Sequence, residues 1–585
     1  MEQAAGEAAT TTAAGLVDRY LDLLCEHEPV TWTRLGGDGR DDALPAIGPA
    51  ADAARSRDLA DLHAQVGREL RGLPDDACDA VREARDDLVL LSDELEYRRF
   101  LTDGRPRYRT DPLAALEAIS SGVHELVRRR DLPEEILAAR TEAAVARVAA
   151  VPAFLDRAGS ILESAPTPHL EVALARLPGL CALVGDTVPE LASAAGLDPA
   201  AAGRAGAAAA EALDAYGAVL AELSEEVAGP WRLGPEDHAV TLRAALGTTM
   251  TAADIADRAS RWLREVREEL AELTGSSWSR RFPGEPIPSD AGDRIRRALG
   301  HVATTAVGRD ELVPEARRAV DEARAFAAEL GLADLPPAER LTVTEVPAYL
   351  AGVAVAFISQ APPLQPSGGC VYYLSPVPDS WDEDRAASFL REYNPAQLRS
   401  LALHEGYPGH FVQLEHASQH PRLARRMLTR PVFAEGWAVH VERLAVTAGF
   451  GSDGTSAVDA DDYRLTQRKL ELRIATNAML DVGLHSGDLD DGAAVELLTG
   501  LACQEHAEAA GKLTRAKVTS GQLCSYFVGG AEVGDLHDEV RRREGAGFDS
   551  RRFHQRLLSH GTPTVDVIRR ALADDAPERR PFAGS

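Results

Sequence analysis

Lysine is nearly absent from this chain. Of its 63 basic residues three are lysine (Lys469, Lys512 and Lys517) and the other 60 are arginine, a bias that reflects coding composition rather than 60 separate tasks. Basic charge as a whole is in deficit, since 92 acidic residues leave a net charge of −29. That deficit argues against nucleic acid or an anionic membrane as the main partner, because both require a basic surface. Aromatic residues make up 5% of the chain, and Ala, Leu, Arg and Glu are used heavily, which favours helices over sheets. Cysteine is sparse as well. Six residues (Cys25, Cys78, Cys181, Cys370, Cys503, Cys524) stand singly, with no Cys-x-x-Cys, so a disulfide framework is not expected and a reducing compartment is. No run approaches 18 apolar residues, and the opening MEQAAGEAATTTAAG has neither a basic n-region nor an apolar h-region. The expectation is a cytoplasmic protein that spans no membrane.

What is present is a long chain with ordinary globular composition: 585 residues, 45% hydrophobic and 26% charged. Such length allows roughly two to four domains. Helical periodicity is clear in Leu59, Leu62, Val66, Leu70 and Leu73, and again in Trp262, Leu263, Val266, Leu270 and Leu273. Breaks fall at the Pro/Gly clusters AGPWRLGPED (228–237), SRRFPGEPIPSD (279–290) and QAPPLQPSGG (360–369). The strand candidate is CVYYLSP (370–376), a short apolar and aromatic run between Gly-Gly and Pro. The predicted organisation is a disordered segment 1–14, an N-terminal helical lobe 15–235, and a C-terminal lobe 236–575 that carries the chemistry. The predicted fold class is mostly α, with a small β element beside the active helix.

The chemistry concentrates in LALHEGYPGHFVQL (401–414). Zinc favours three His or Glu ligands plus a water made acidic enough to attack a carbonyl. His404 and His410 are candidate ligands, and Glu405 is the candidate base that takes the water's proton. Their spacing is unusual. Six steps at about 100° each put His410 roughly 120° away from His404 on an ideal helix, where the two cannot share one ion. Pro408 and Gly409 offer a remedy: a widened turn across Gly406–Gly409 would absorb two residues and return His410 to the face of His404. Downstream, VFAEGWAVHVERL (432–444) supplies Glu435, 25 residues after His410, as a plausible third ligand. Glu442 lies on the same face, either as an acceptor for a ligand imidazole or facing solvent.

HEGYPGHFVQ, followed by AEGWAVHVERLA, RIATNAMLDVGLHSG, SGQLCSYFVGG and FDSRRFHQRLLSHGTP, resembles the bacterial domain of unknown function 885 family (DUF885). These are helical, zincin-like proteins related in architecture to thermolysin-type gluzincins and neurolysin-like oligopeptidases. The pattern His-Glu-x-x-Pro-Gly-His-x-x-Gln matches at His404, Glu405, Pro408, Gly409, His410 and Gln413, and Phe411 stands where many members have another histidine. The resemblance implies a two-lobed oligopeptidase-like architecture, with Glu435 as the third ligand of one zinc per chain, other divalent ions being acceptable to the same set. It also implies His485 and Tyr526 as groups that steady a developing oxyanion. Asp481 lies four residues before His485 on one helical face. Arg473 is a candidate for gripping a substrate carboxylate. Tyr372 and Tyr373 alternate across their strand, so one of the two faces the cleft, and Tyr373 is taken as the candidate.

His416 and His420 have ligand spacing but no neighbouring Glu, His440 reads as a helix-packing histidine, and GSDGTSAVDADD (451–462) lacks the ordered spacing of a calcium loop. The expected activity is zinc-dependent hydrolysis of an amide or peptide bond in a short peptide or small molecule. A metal-dependent isomerase or lyase is the first alternative, and an inactive helical binding protein the second.

Overall fold

The computed structural model describes residues 2–74, 78–128, 132–226, 229–346, 356–378, 381–452 and 458–574. The expected acidic loop therefore falls partly outside the described residues, at 453–457. The helices used below, in chain order, are α1 (Glu2–His27), α2 (Asp79–Arg99), α3 (Leu113–Val127), α4 (Pro199–Glu226), α5 (Pro235–Leu246), α6 (Ala252–Arg281) and α7 (Leu312–Leu330). A small sheet follows, β1 (Leu341–Glu345), β2 (Ala356–Ser359) and β3 (Cys370–Leu374), then α8 (Pro395–Leu401), α9 (His410–Ser418), α10 (Pro431–Thr447), α11 (Ala460–His485), α12 (His506–Val518) and α13 (Ser525–Glu544). The protein is mostly helical, as composition implied.

Local chemistry accounts for the boundaries. A capping box between Thr251 and Asp254 opens α6, and the Asn394 side chain accepts from Ala396 N and Gln397 N to open α8 behind Pro395. The stripe Leu59, Leu62, Val66 is buried. Residues 2–14 are helical rather than disordered: α1 runs through them, burying Ala9 and Ala13, and a Cβ at Gly6 would touch Ala80 at 3.0 Å. Small residues in that segment are a close-packing surface against α2.

One core joins residues from Ile47 to Leu220, and the largest joins Leu242 to Leu572. A third unites α1 and α2 with Ala424, Met427, Leu428 and Val567, so the chain's beginning packs on its later third. The helical stretch Thr167–Ala194 is long and apolar enough to cross a membrane by length and composition, contrary to expectation. Its Leu170, Ala173, Leu177 and Leu180 sit in the first core, which explains the apolar character.

In the sheet β3 is central, parallel to β1 and antiparallel to β2. Arg340, just before β1, donates to Glu415 of α9, and Cys370 Sγ at the start of β3 lies 3.7 Å from the same carboxylate. The sheet is thus tied to the helix that begins at His410.

Candidate metal centre

Helix α8 is fixed by Arg399, wholly buried between Glu315 and Glu322 of α7. Beyond it the chain widens into a π-turn, Ala402–Gly406, that carries His404 and Glu405. The Tyr407–Pro408 peptide is cis, and α9 starts at His410. The expected remedy is therefore corrected in place and kind. The wide turn lies one turn earlier than Gly406–Gly409, and a full break separates two helices. Proline supplies no donor to continue the first helix. Glycine is required at 409, where a Cβ would lie 1.9 Å from the His404 carbonyl oxygen. Trp437 closes the break, its Nε1–H shared between the carbonyls of Pro408 (2.9 Å) and Gly409 (3.2 Å).

The result brings the two imidazoles together, with ring centres 4.6 Å apart and planes at 87°. Glu435, in the first turns of α10, completes the cluster. Its Oε2 lies 3.4 Å from Nε2 of both His404 and His410, and the three ligand atoms fall within 4.8 Å of one another. That oxygen is buried and, among the described residues, has no hydrogen-bond partner. A separation of 3.4 Å is too long for a good hydrogen bond. It does match the spacing between neighbouring ligands of a tetrahedral ion with bonds of about 2.0–2.1 Å, whose edge is about 3.3 Å. Two nitrogens and a carboxylate oxygen so arranged fit a divalent cation such as zinc.

Glu442 takes the other nitrogen of His404 (Nδ1 to Oε1, 2.5 Å), as an outer carboxylate does for a metal-binding histidine. Burial pulls His404 towards neutrality, but the neighbouring carboxylates of Glu435 and Glu442 outweigh this and raise its pKa well above the usual value. Burial opposes ionisation of Glu435 too, yet the flanking His410 and His404 hold it at about 2. Glu405 is buried beside the cluster. It also faces Tyr372, whose buried hydroxyl has no hydrogen-bond partner among the described residues and whose pKa is raised by burial and then by the Glu405 charge. Strand alternation was read to the wrong face: Tyr373 stacks on Phe357 (5.2 Å) in a separate small cluster.

Tyr526 belongs to the site. Its ring centre is 6.5 Å from that of His404, and the Glu435 charge, then burial, raises its pKa. Close backbone packing puts it there. A Cβ on Gly436 would lie 2.5 Å from the Gly529 backbone, and one on Gly529 would lie 2.1 Å from Val432 O, so α10 and α13 touch main chain to main chain. Glu-Gly-Trp-Ala thus combines a candidate ligand, a crossing point and the clamp on the helix break.

Asp481 and His485 are not brought to the cluster. His485 Nε2 donates to the carbonyls of Ala516 (2.8 Å) and Thr519 (3.1 Å). Asp481 accepts from Gly521 N at 3.0 Å and pairs with His238 of α5 at 2.9 Å, and Cys524 Sγ lies 3.9 Å from Ala478 O. Together these bonds from α11 fix the connection between α12 and α13 that delivers Tyr526. Both residues position the site rather than act in it.

Two further expectations are corrected. Arg473 is spent on Glu392 (3.1 Å) and Glu508. Gln413 is buried and donates to Thr562 (2.8 Å), joining α9 to the C-terminal segment. Elsewhere His416 bonds Asp334 O. Glu26, His27 and Asp58 also gather three ligand atoms, but there His27 and Asp58 already pair at 2.8 Å on a partly exposed surface. A cavity of about 530 Å³ lies among α1, α2, α3 and α5, its wall ending at Arg430 and Pro431, one turn before Glu435.

A mostly helical chain with a two-histidine, one-glutamate cluster is the class these features define. It belongs to the family of bacterial proteins of unknown function DUF885, whose profile matches residues 29–572. A solved structure, that of a putative lipoprotein of unknown function from Shewanella oneidensis, is similar, at 26% identity and a TM-score of 0.79, with 96% of this chain and 98% of that one covered. Another, a putative lipoprotein from Colwellia psychrerythraea, shares the fold at 15% identity and a TM-score of 0.76, with 97% and 99% covered. Both of these solved proteins are named as lipoproteins. No curated protein matches the sequence.

Proposed function

We propose that the protein is a zincin-like metallohydrolase that cleaves an amide or peptide bond in a short peptide or small molecule. The observation that carries this reading is Glu435 Oε2, a buried carboxylate oxygen without a hydrogen bond among the described residues, equidistant at 3.4 Å from two imidazole nitrogens. His404, His410 and Glu435 would hold the ion, and a bound zinc would supply Lewis acidity that sharpens both a water and a substrate carbonyl.

The protein's own groups manage the protons. Glu405 accepts one from the attacking water and delivers it to the amide nitrogen as the C–N bond breaks, leaving an acid and an amine. The Tyr526 phenol, kept protonated by the nearby negative charge and by burial, donates a hydrogen bond to the substrate oxygen as charge develops there. Glu442 fixes the ring orientation of His404. All six cysteines are free thiols, which supports the reading of a reducing, cytoplasmic setting.

Elemental analysis of purified protein should give about one zinc per chain, and digestion of a mixed-peptide pool, read by mass spectrometry, should stop on chelation and return with zinc. Glu405→Gln should keep the metal and lose at least about a hundredfold in rate, within the range for a general base. Metal well below one per chain, or full turnover in Glu405→Gln, overturns the reading.

A further inference from the structure

The cavity of about 530 Å³ is a second place with room for a molecule, and none of His404, Glu405, His410, Glu435 or Tyr526 lines it. Small-molecule sites span a similar size range, about 300–1,000 Å³. It lies where α1, α2 and α3 meet α5 and the start of α10. Tyr20, Leu24 and His27 of α1 face it, as do Glu94, Tyr97 and Arg98 of α2, at the three- and four-residue steps of one helical side. Five guanidiniums and five carboxylates line it, but they are not matched one to one. In one group Arg98 and Arg430 share a single carboxylate, each 2.8 Å from Glu94, which also accepts from the Tyr20 hydroxyl at 2.8 Å. Burial opposes ionisation of Glu94, yet Arg98 and then Arg430 hold its pKa at about 2. The other group is the reverse. A single buried guanidinium, Arg55, stands between two carboxylates, Asp52 at 3.3 Å and Glu28 at 3.4 Å. There burial raises the Asp52 pKa despite Arg55, so that carboxylate is short of positive charge.

We propose that this cavity binds a small zwitterion, a free amino acid or a short peptide with both termini free. Its carboxylate goes to Arg98 and Arg430, and its ammonium to Asp52 and Glu28. Counted by ion pairs, the Glu94 group carries one surplus positive charge and the Arg55 group one surplus negative charge. An unmatched charge away from water is costly, so a ligand that brings the missing charge to each group is favoured at both ends at once. The guanidinium fork matches a carboxylate edge, and the three donors of an ammonium suit a pair of carboxylates. Leu23, Leu24, Leu59 and Leu101 add an apolar lining for the ligand's own side chains. Arg430 immediately precedes α10, five residues ahead of Glu435, so the carboxylate is held on the segment that leads into the candidate metal centre. The assignment needs no metal and does not rest on the hydrolase reading.

The test titrates the full chain, as Glu405→Gln so that no probe is turned over, calorimetrically with leucine, dileucine and trileucine, before and after treatment with a chelator. At least one of the three should bind with a Kd below about 1 mM, equally well in both states. For that probe, amidation of the carboxylate and acetylation of the amine should each weaken binding roughly 10–100-fold, the worth of a charge-assisted hydrogen bond. The two groups should then separate by substitution. Arg98→Met should erase the penalty for amidation and keep the penalty for acetylation, and Asp52→Asn should do the opposite, with melting temperatures near that of the parent chain. No binding of any of the three, equal binding of blocked and free probes, or binding that chelation abolishes overturns the proposal, and the last of these places the probe at the metal cluster instead. So does a pattern of penalties that neither substitution alters. Chelator-resistant binding in a chain that cleaves no peptide leaves the zwitterion site standing and removes the hydrolase reading alone.

Discussion

Helix α10 carries two histidine clusters with opposite electrostatics. From this helix Glu435 and Glu442 flank His404, whose pKa rises well above the ordinary value. On the same helix, five residues after Glu435, His440 meets His554 (Nε2 to Nε2, 3.0 Å), with the His537 ring 5.2 Å away. There burial, followed by the other imidazoles, pushes His440 well below the usual value, and burial then His537 push His554 to about 3. Both clusters hold imidazoles at contact distance within one core. What separates a candidate cation site from a packing motif is the carboxylate, because two imidazoles that bond each other cannot both be protonated, and burial without a carboxylate disfavours even one charge.

The sharpest way to break the contrast is to remove that carboxylate. Glu435→Ala leaves two imidazoles as bare as those around His554. Its zinc affinity, measured by competition with a chelating dye, should fall by more than the roughly 10–100-fold that loss of an outer partner costs. A smaller change follows at Glu442. Glu442→Gln keeps a hydrogen bond to His404 but removes the charge, and zinc affinity should drop roughly 10–100-fold while melting temperature in the metal-free state barely changes. The least effect concerns pH. His554 titrates at about 3 in the folded protein against 6.5 when unconstrained, so the unfolded chain binds more protons between those values and stability must fall as pH falls below 6.5. Between pH 7 and 5 the loss from this residue is ~2 kcal/mol, and denaturant unfolding of His554→Gln should show a pH slope shallower by that amount.

The sequence made some of this legible. His404, Glu405, His410 and Glu435 could be picked out because a local motif and a downstream Glu-Gly-Trp-Ala carry the ligand types zinc needs, and Tyr526 followed by resemblance. Partners far along the chain were not legible. Nothing within RKLELRI reveals that Arg473 meets Glu392 and Glu508, and nothing near LDVGLHSG reveals that His485 reaches the carbonyls of Ala516 and Thr519. Parity along a strand says that Tyr372 and Tyr373 face opposite ways but not which way, because the neighbouring layers decide that. The helical state of residues 2–14 escaped for a similar reason. Alanine and glycine look like loose polypeptide until a second helix is laid against them. Pro408 and Gly409 announced an interruption between the histidines, but the place where the turn widens depends on Trp437 reaching across from another helix.

The main-chain contact between Gly436 and Gly529 acts as a gauge block. Glu435 and Tyr526 stand on opposite sides of it, and no side chain intervenes to be trimmed or enlarged. Changes elsewhere around the cluster therefore leave the gap between the Glu435 carboxylate and the Tyr526 phenol machined to one size.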